Sequence, residues 1–220
     1  IYPTYGMIDV YAKIYKSKLN KVINNNKKNC DPKSYFKSKT KWIYIANPNQ
    51  PDGRIIHKED IVKILNRAYK KKILVVLDEA YIEFSRQNSL AGLVKRFSNL
   101  VILKTFSKFP GLAGLRIGYI VANPKFIKVF NTVRPIFDIS ALSISIAEYF
   151  VQNRKAQNLY IKKIKRSKNY MINQCKKRNI KFINTETNFF YIEIPSTKLK
   201  KIHNTLIKNK ILVRSNLLGN

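Results

Sequence analysis

The chain has 220 residues, 45% of them hydrophobic, which can bury a sizeable core as one domain or as one domain with part of another. Its net charge of +31 raises nucleic-acid binding, but the basic residues are scattered among abundant Asn and Ile, as in Asn24-Asn25-Asn26-Lys27-Lys28-Asn29, and form no stripe with interleaved aromatics. No run of about 18 apolar residues marks a membrane span, and Ile1-Tyr2-Pro3 lacks the layout of a secretion signal. Cys30 and Cys175 have no metal-ligand spacing and read as unpaired thiols of a reducing cytoplasm, and His57 and His203 are isolated, so no metal site is expected.

In chain order, the Lys/Asn-rich stretch from Lys16 to Lys41 is expected to contain loops. Thr40 to Ala46 is an apolar run that stops at an Asn/Pro turn, a predicted strand. Between Lys58 and Lys70, Ile61, Ile64, Leu65 and Ala68 recur at helical spacing. Ile73 to Leu77 is a continuous run rich in β-branched residues, as in a strand buried on both faces; Leu100 to Leu103 and Arg116 to Val121 read the same way. Phe126 to Val133 is a predicted helix ending at Arg134-Pro135. A second helical pattern starts near Ser140, is interrupted near Asn153 and resumes through Cys175. Phe182 to Ile194 reads as two strands around Thr185-Glu186-Thr187, followed by a helix from Ser196 to Lys208 and a last strand at Ile211 to Arg214. Strands alternating with helices predict an α/β fold with a mostly parallel sheet.

Polar groups fall just after these strands: Asn49-Gln50 after the first, Asp78 after the second, Lys108 after the third. In open α/β sheets, ligands gather beyond the carboxyl ends of strands. The segment Thr105-Phe106-Ser107-Lys108-Phe109-Pro110-Gly111-Leu112-Ala113-Gly114-Leu115-Arg116 carries the clearest chemistry. A lysine becomes reactive when it is stripped of water or paired with a cofactor aldehyde. Hydroxyls and an arginine are the groups that hold a phosphate, and Gly114 leaves room for the backbone near Arg116. Together they point to pyridoxal 5'-phosphate (PLP).

This segment resembles the lysine motif of the fold-type I, PLP-dependent aminotransferases. Asn47-Pro48-Asn49-Gln50-Pro51-Asp52-Gly53 resembles that family's Asn-Pro-x-Asn-Pro-Thr-Gly turn, and Asp78-Glu79-Ala80-Tyr81 its Asp-Glu-Ala-Tyr motif. Pro3-Thr4-Tyr5-Gly6-Met7 and Glu186-Thr187-Asn188-Phe189 fit as well, in order and spacing, over nearly the whole chain. Within the family, the likeness is to the histidinol-phosphate type. It implies a large PLP-binding domain over residues 1–152, with a mostly parallel sheet in which Gly118 to Ala122 runs antiparallel. Residues 153–220 would form part of a smaller α+β domain.

The resemblance implies these roles. Lys108 holds PLP as a Schiff base and later moves a proton, Asp78 pairs with the pyridine nitrogen, and Tyr81 donates to the phenolic oxygen. Tyr5 stacks on the ring, and Thr105, Ser107 and Arg116 hold the phosphate. Gln50 stands where the family has an asparagine, which adds a methylene to the contact with the phenolic oxygen; Asn49, beside it, points differently. Arg214 and Asn188 face the substrate. The implied reaction is L-histidinol phosphate with 2-oxoglutarate, in the cytoplasm, by a homodimer. Open alternatives are an aminotransferase for another amino acid, keto sugar or phosphonate, a related decarboxylase, and a basic nucleic-acid-binding module. The family also has an N-terminal phosphate-binding loop, a tyrosine for the partner's site and a final arginine that lie outside this sequence. On the resemblance the chain is therefore an internal fragment, inactive by itself.

Overall fold

The computed structural model describes residues 2–23, 32–136 and 138–214. Cys30 and the run from Asn24 to Asn29 lie outside the described residues. At the centre is a four-stranded sheet: β1 (Trp42–Ala46), β2 (Leu74–Asp78), β3 (Leu100–Thr105) and β4 (Gly118–Ala122), in that spatial order. β1, β2 and β3 are parallel, in the register Ala46–Asp78 and Asp78–Leu103. β4 pairs antiparallel with β3, Thr105 opposite Gly118, in the direction implied by the resemblance. The parallel strands are Val-, Ile- and Leu-rich, but only one face is fully covered: Leu74, Val76 and Leu103 on the other face are part-exposed, short of the two-sided burial their runs predict. Val75, Leu77, Leu100 and Ile102 are fully buried, whereas edge strand β4 exposes Tyr119 and Ile120.

Helix α2 (Lys58–Lys70) closes one face of the sheet. Its Ile61, Ile64, Leu65 and Ala68 are fully buried and join Ile43, Ile45, Val75 and Leu100 in one core. Glu59 and Asp60 sit in its first turn and Arg67 and Lys70 in its last, charges that oppose the helix dipole. A helix that the periodicity did not announce, α1 (Met7–Ile14), precedes the sheet, and short 3-10 turns follow β2 at Ile82–Phe84 and Ala91–Lys95.

Beyond β4 come α3 (Pro124–Val133), α4 (Ala141–Gln152) and α5 (Arg154–Lys177). Their starts are written locally: Asn123 accepts from the Lys125 amide ahead of Pro124, and Ser140 accepts from the Ser143 amide. Asn153 ends α4 and also caps α5, its Oδ1 accepting from the Ala156 amide, which explains the interruption in the helical pattern. A small antiparallel pair, β5 (Phe182–Ile183) and β6 (Tyr191–Ile192), and α6 (Ser196–Lys208) follow. The strand expected at Ile211 to Arg214 does not form. Those residues are exposed coil, since no neighbouring strand among the described residues accepts their backbone groups. No described helix is long and apolar enough to cross a membrane.

Candidate active site

Because β1, β2 and β3 are parallel, their carboxyl ends open on one edge of the sheet. The turn after β1 is held from inside. Asn47, fully buried, donates from Nδ2 to the Ile56 carbonyl and accepts the Ile56 amide at Oδ1, at 3.2 and 2.8 Å. Asn49 donates to the Pro3 carbonyl at 3.0 Å and to Asp52 Oδ1 at 2.9 Å, and accepts from Thr4 Oγ1 at 3.1 Å. It therefore ties the turn to the Tyr5 segment, and the side chain left to face outward is Gln50. Gln50 Oε1 accepts the Tyr81 hydroxyl at 3.2 Å, so the longer amide does reach across to β2.

Asp78 closes β2. Tyr44 Oη donates to its Oδ2 at 2.6 Å, and the Ala80 amide donates to Oδ1 at 3.0 Å. Burial pushes the Asp78 carboxyl above its usual range, and these two hydrogen bonds pull the other way. Burial also raises the Tyr44 phenol, and Asp78's charge adds to it. Tyr81 is pushed up to about 12, by burial first and then by the charge of Asp78 and the nearby Tyr5, while Arg214 opposes. Arg214, in exposed coil, is near enough to Tyr81 for its charge to be felt there. Tyr5 lies beside Tyr44 and Tyr81 and is 44% exposed.

The second residue of the Asp-Glu-Ala-Tyr motif has another job. Glu79 is 1% exposed, accepts from Ser89 Oγ and from the Leu90 amide, and pairs with Lys104 at 3.1 Å. Lys104 also reaches Glu83 at 2.7 Å. Glu79 therefore fastens the loop after β2 to β3.

Lys108 follows β3 and is half-buried, its Nζ 5.9 Å from the centre of the Tyr81 ring. Its carbonyl accepts from Tyr160 on α5, and the next residue, Phe109, packs edge-on against Phe84 and Phe150. Thr105 Oγ1 accepts the Ser107 amide at 3.0 Å, which closes a local turn after β3. Phe106 donates to the Ile117 carbonyl, which lays the Arg116 backbone beside this segment. Arg116 is exposed, with a left-handed φ of 56°, and its guanidinium donates to Ala113 in its own loop. Gly114 is not where the backbone needs room: a Cβ there meets nothing within 4 Å. The close approaches are at Gly111, against Tyr160, and at Gly118, against the Lys104 carbonyl.

Asn188 is half-buried between Thr187 and Phe189. The Phe189 ring meets Tyr81 edge-on at 5.4 Å and Tyr191 at 5.8 Å. Sequence reasoning missed Phe189, Tyr191 and Tyr44. Only Tyr44 left a signal, a tyrosine two residues before the end of a strand that must neighbour the one carrying Asp78. An open cavity of about 720 Å³, between the Tyr2–Asp9 segment and residues 34–44, touches this site only through Tyr44.

A buried carboxylate with two donors on it, a phenol, an amide and an amine stand around one sheet edge, and the segment after β3 carries a hydroxyl and, exposed in its own loop, a guanidinium. This donor set fits PLP, with Asp78 for a ring nitrogen, Tyr81 and Gln50 for a ring oxygen, Lys108 for an aldehyde, and Ser107 and Arg116 for a phosphate. The aminotransferase class I and II family model matches residues 2–217. The chain belongs to that family. Histidinol-phosphate aminotransferase 1 of Carboxydothermus hydrogenoformans is 38% identical over 172 residues, 78% of this chain and 48% of that protein. The crystal structure of the histidinol-phosphate aminotransferase from Clostridium acetobutylicum superposes with a TM-score of 0.83 at 26% identity, covering 99% of this chain and 68% of that one. L-threonine-O-3-phosphate decarboxylase from Porphyromonas gingivalis does so with a TM-score of 0.79 at 26% identity, covering 100% and 67%. This class I and II aminotransferase chain spans from about half to 61% of the length of the curated relatives it matches.

Proposed function

We propose that the chain forms the cofactor-binding part of a PLP-dependent aminotransferase. It would convert L-histidinol phosphate and 2-oxoglutarate to imidazole-acetol phosphate and glutamate. The observation that carries this reading is the convergence of Gln50, Asp78, Tyr81 and Lys108, from three separate strand ends, on one edge of the sheet. PLP, when bound, supplies a sink for the electron pair left as the substrate α-carbon loses its proton. Asp78 keeps a proton on the pyridine nitrogen, and the Tyr44 and Ala80 donors keep Asp78 charged for that task. Tyr81 would donate to the phenolic oxygen, its one hydroxyl proton turning there from Gln50 Oε1 when the cofactor binds. Lys108 Nζ would be the base that takes the substrate α-proton and then the acid that returns it. Thr105, Ser107 and Arg116 would hold the phosphate, and Tyr5 would flank the ring. Arg214 and Asn188 meet the substrate, the arginine at its anionic group.

Residues 1–152 and 153–220 belong in this reading to a large and a small domain of a cytoplasmic homodimer. A decarboxylase is the second reading, favoured by the equal identity to the Porphyromonas gingivalis enzyme. In the whole protein, borohydride reduction followed by peptide mapping should place a stable cofactor adduct on Lys108, and Lys108→Ala should abolish turnover. An adduct on another lysine overturns the assignment. A panel of amines, read by the cofactor's visible absorbance, then identifies the donor, and carbon dioxide release without amino transfer establishes the decarboxylase.

A further inference from the structure

Lys168 stands in the middle of α5, a helix with no acidic residue in its sequence, so nothing on its own element pairs with it. It turns instead to the loop between β5 and β6. Its Nζ lies 2.6 Å from the Thr185 carbonyl, 2.8 Å from the Thr187 carbonyl and 3.3 Å from Thr185 Oγ1. An ammonium has three donors, and this loop accepts all three.

The loop is knitted by hydroxyls as well. The Thr185 and Thr187 hydroxyls lie 2.8 Å apart and both within reach of the Phe189 carbonyl, so one donates to the other and that one to the carbonyl, and the Phe189 amide donates back to Thr187. Its far side is pinned to the candidate site. The Glu186 amide donates to the Gly53 carbonyl, in the turn that carries Gln50, and the Glu186 carboxylate accepts the Arg86 amide at 3.0 Å. Phe189 then rests on Tyr81. Asn188 sits between two residues of this clamp and has no side-chain hydrogen bond among the described residues.

We propose that Lys168 is a positioning residue. By holding the Thr185 and Thr187 carbonyls, it fixes the backbone that presents Asn188 to the substrate and Phe189 to Tyr81. This deepens, and rests on, the aminotransferase reading. The three contacts lock the loop on α5, so losing them frees the Asn188 segment while leaving Lys108, Asp78 and Ser107, which hang on the sheet, in place. Burial pulls the Lys168 ammonium below its usual range, and Glu186 works against it.

The test compares Lys168→Met with Lys168→Arg in the whole protein. Without cofactor, amide exchange at residues 186–189 should quicken about tenfold or more in Lys168→Met, in keeping with the loss of charge-assisted hydrogen bonds. With cofactor, PLP affinity should stay near wild type. KM for the amino donor should rise about tenfold while kcat stays within about twofold, the pattern of lost substrate positioning. Lys168→Arg, which can still donate to both carbonyls, should restore KM. If Lys168→Met does not fold, Lys168→Gln, with fewer donors and no charge, serves the same comparison. Quickened exchange with an unchanged KM overturns the proposal. So does a joint fall of PLP affinity, kcat and melting temperature that arginine does not rescue. A wild-type protein that transaminates no amine would sink the aminotransferase reading instead, and the exchange measurement would still decide whether Lys168 holds the loop.

Discussion

Asp78 is where burial and function oppose each other. Its folded-state pKa is raised, chiefly by burial, so the proton is held more tightly in the folded protein than in the unfolded chain. The favourable contribution belongs to the protonated form; it is complete below the unfolded pKa near 4 and is lost as pH rises through the folded value. At neutral pH the charged carboxylate is thus a cost to the fold. Asp78→Asn should raise the melting temperature of the cofactor-free protein. It should also lower amino transfer by roughly a hundredfold or more, on the order of 3 kcal/mol for a removed preorganised charge. Calorimetry and steady-state rates on one preparation check both signs, and an active Asn variant would place the essential carboxylate elsewhere. Tyr81 gives a second measurement. Burial and the Asp78 charge push it to about 12, so its contribution to stability persists below pH 10 and fades between about 10 and about 12. Phenolate absorbance should show a tyrosine that titrates late. Tyr44 and Tyr191 are raised as well, so the late component should shrink by one tyrosine in Tyr81→Phe, and part of it should move to lower pH in Asp78→Asn, since the carboxylate raises both Tyr81 and Tyr44.

At the scale of elements, the contact between the Asn47–Gly53 turn and the loop before β6 decides whether Gln50 meets Tyr81. Gly53 has a φ of +65°, and a Cβ there would stand 2.3 Å from Thr185 Cβ, with backbone bonds on both sides. Neither partner has a flexible end that could give way. Gly53→Ala should cost on the order of 2–4 kcal/mol, combining a left-handed non-glycine residue with overpacking. Gly6→Ala is the control: its φ is −59° and nothing lies within 4 Å. Thermal unfolding of the two variants separates these outcomes, and equal melting temperatures would contradict the packing. The turn itself was legible, because Asn-Pro-Asn-Gln-Pro-Asp-Gly after an apolar run spells a strand end followed by a chain reversal. The reason Gly53 must be glycine was not legible, because it lies 132 residues away at Thr185.

Over the whole molecule, one core and one buried ion network carry the edge on which the site stands. Lys104 on β3 is pulled down by burial, but Glu83 and Glu79 outweigh this and its pKa is raised overall. Lys104→Met would leave Glu79 charged and enclosed, and breaking such a pair from one side costs about 3–5 kcal/mol. Adding Glu79→Gln should recover part of the loss. Chemical denaturation of the single and double variants measures the coupling, and additive effects would show that the pair is not linked. The excess positive charge takes no part in this network. Nine basic residues lie on α5, and all of them but Lys168 are exposed.

The sequence by itself determined most of the elements, though not α1, and the chemical kinds of the site. Local periodicity marks α2, unbroken β-branched runs mark β2 and β3, and capping residues mark α3 to α5, because each depends on neighbours a few positions apart. Lys108, Asp78, Tyr81 and Gln50 were legible as types placed after strands. Tertiary structure alone decided their company. The Tyr44 bond to Asp78 spans 34 positions, Phe189 meets Tyr81 from a separate hairpin, and Lys168 holds a loop from a helix. Coil replaced the expected strand at Ile211 to Arg214 for the same reason. A strand needs a partner for its backbone groups, and partners are assigned by the packing of the whole chain.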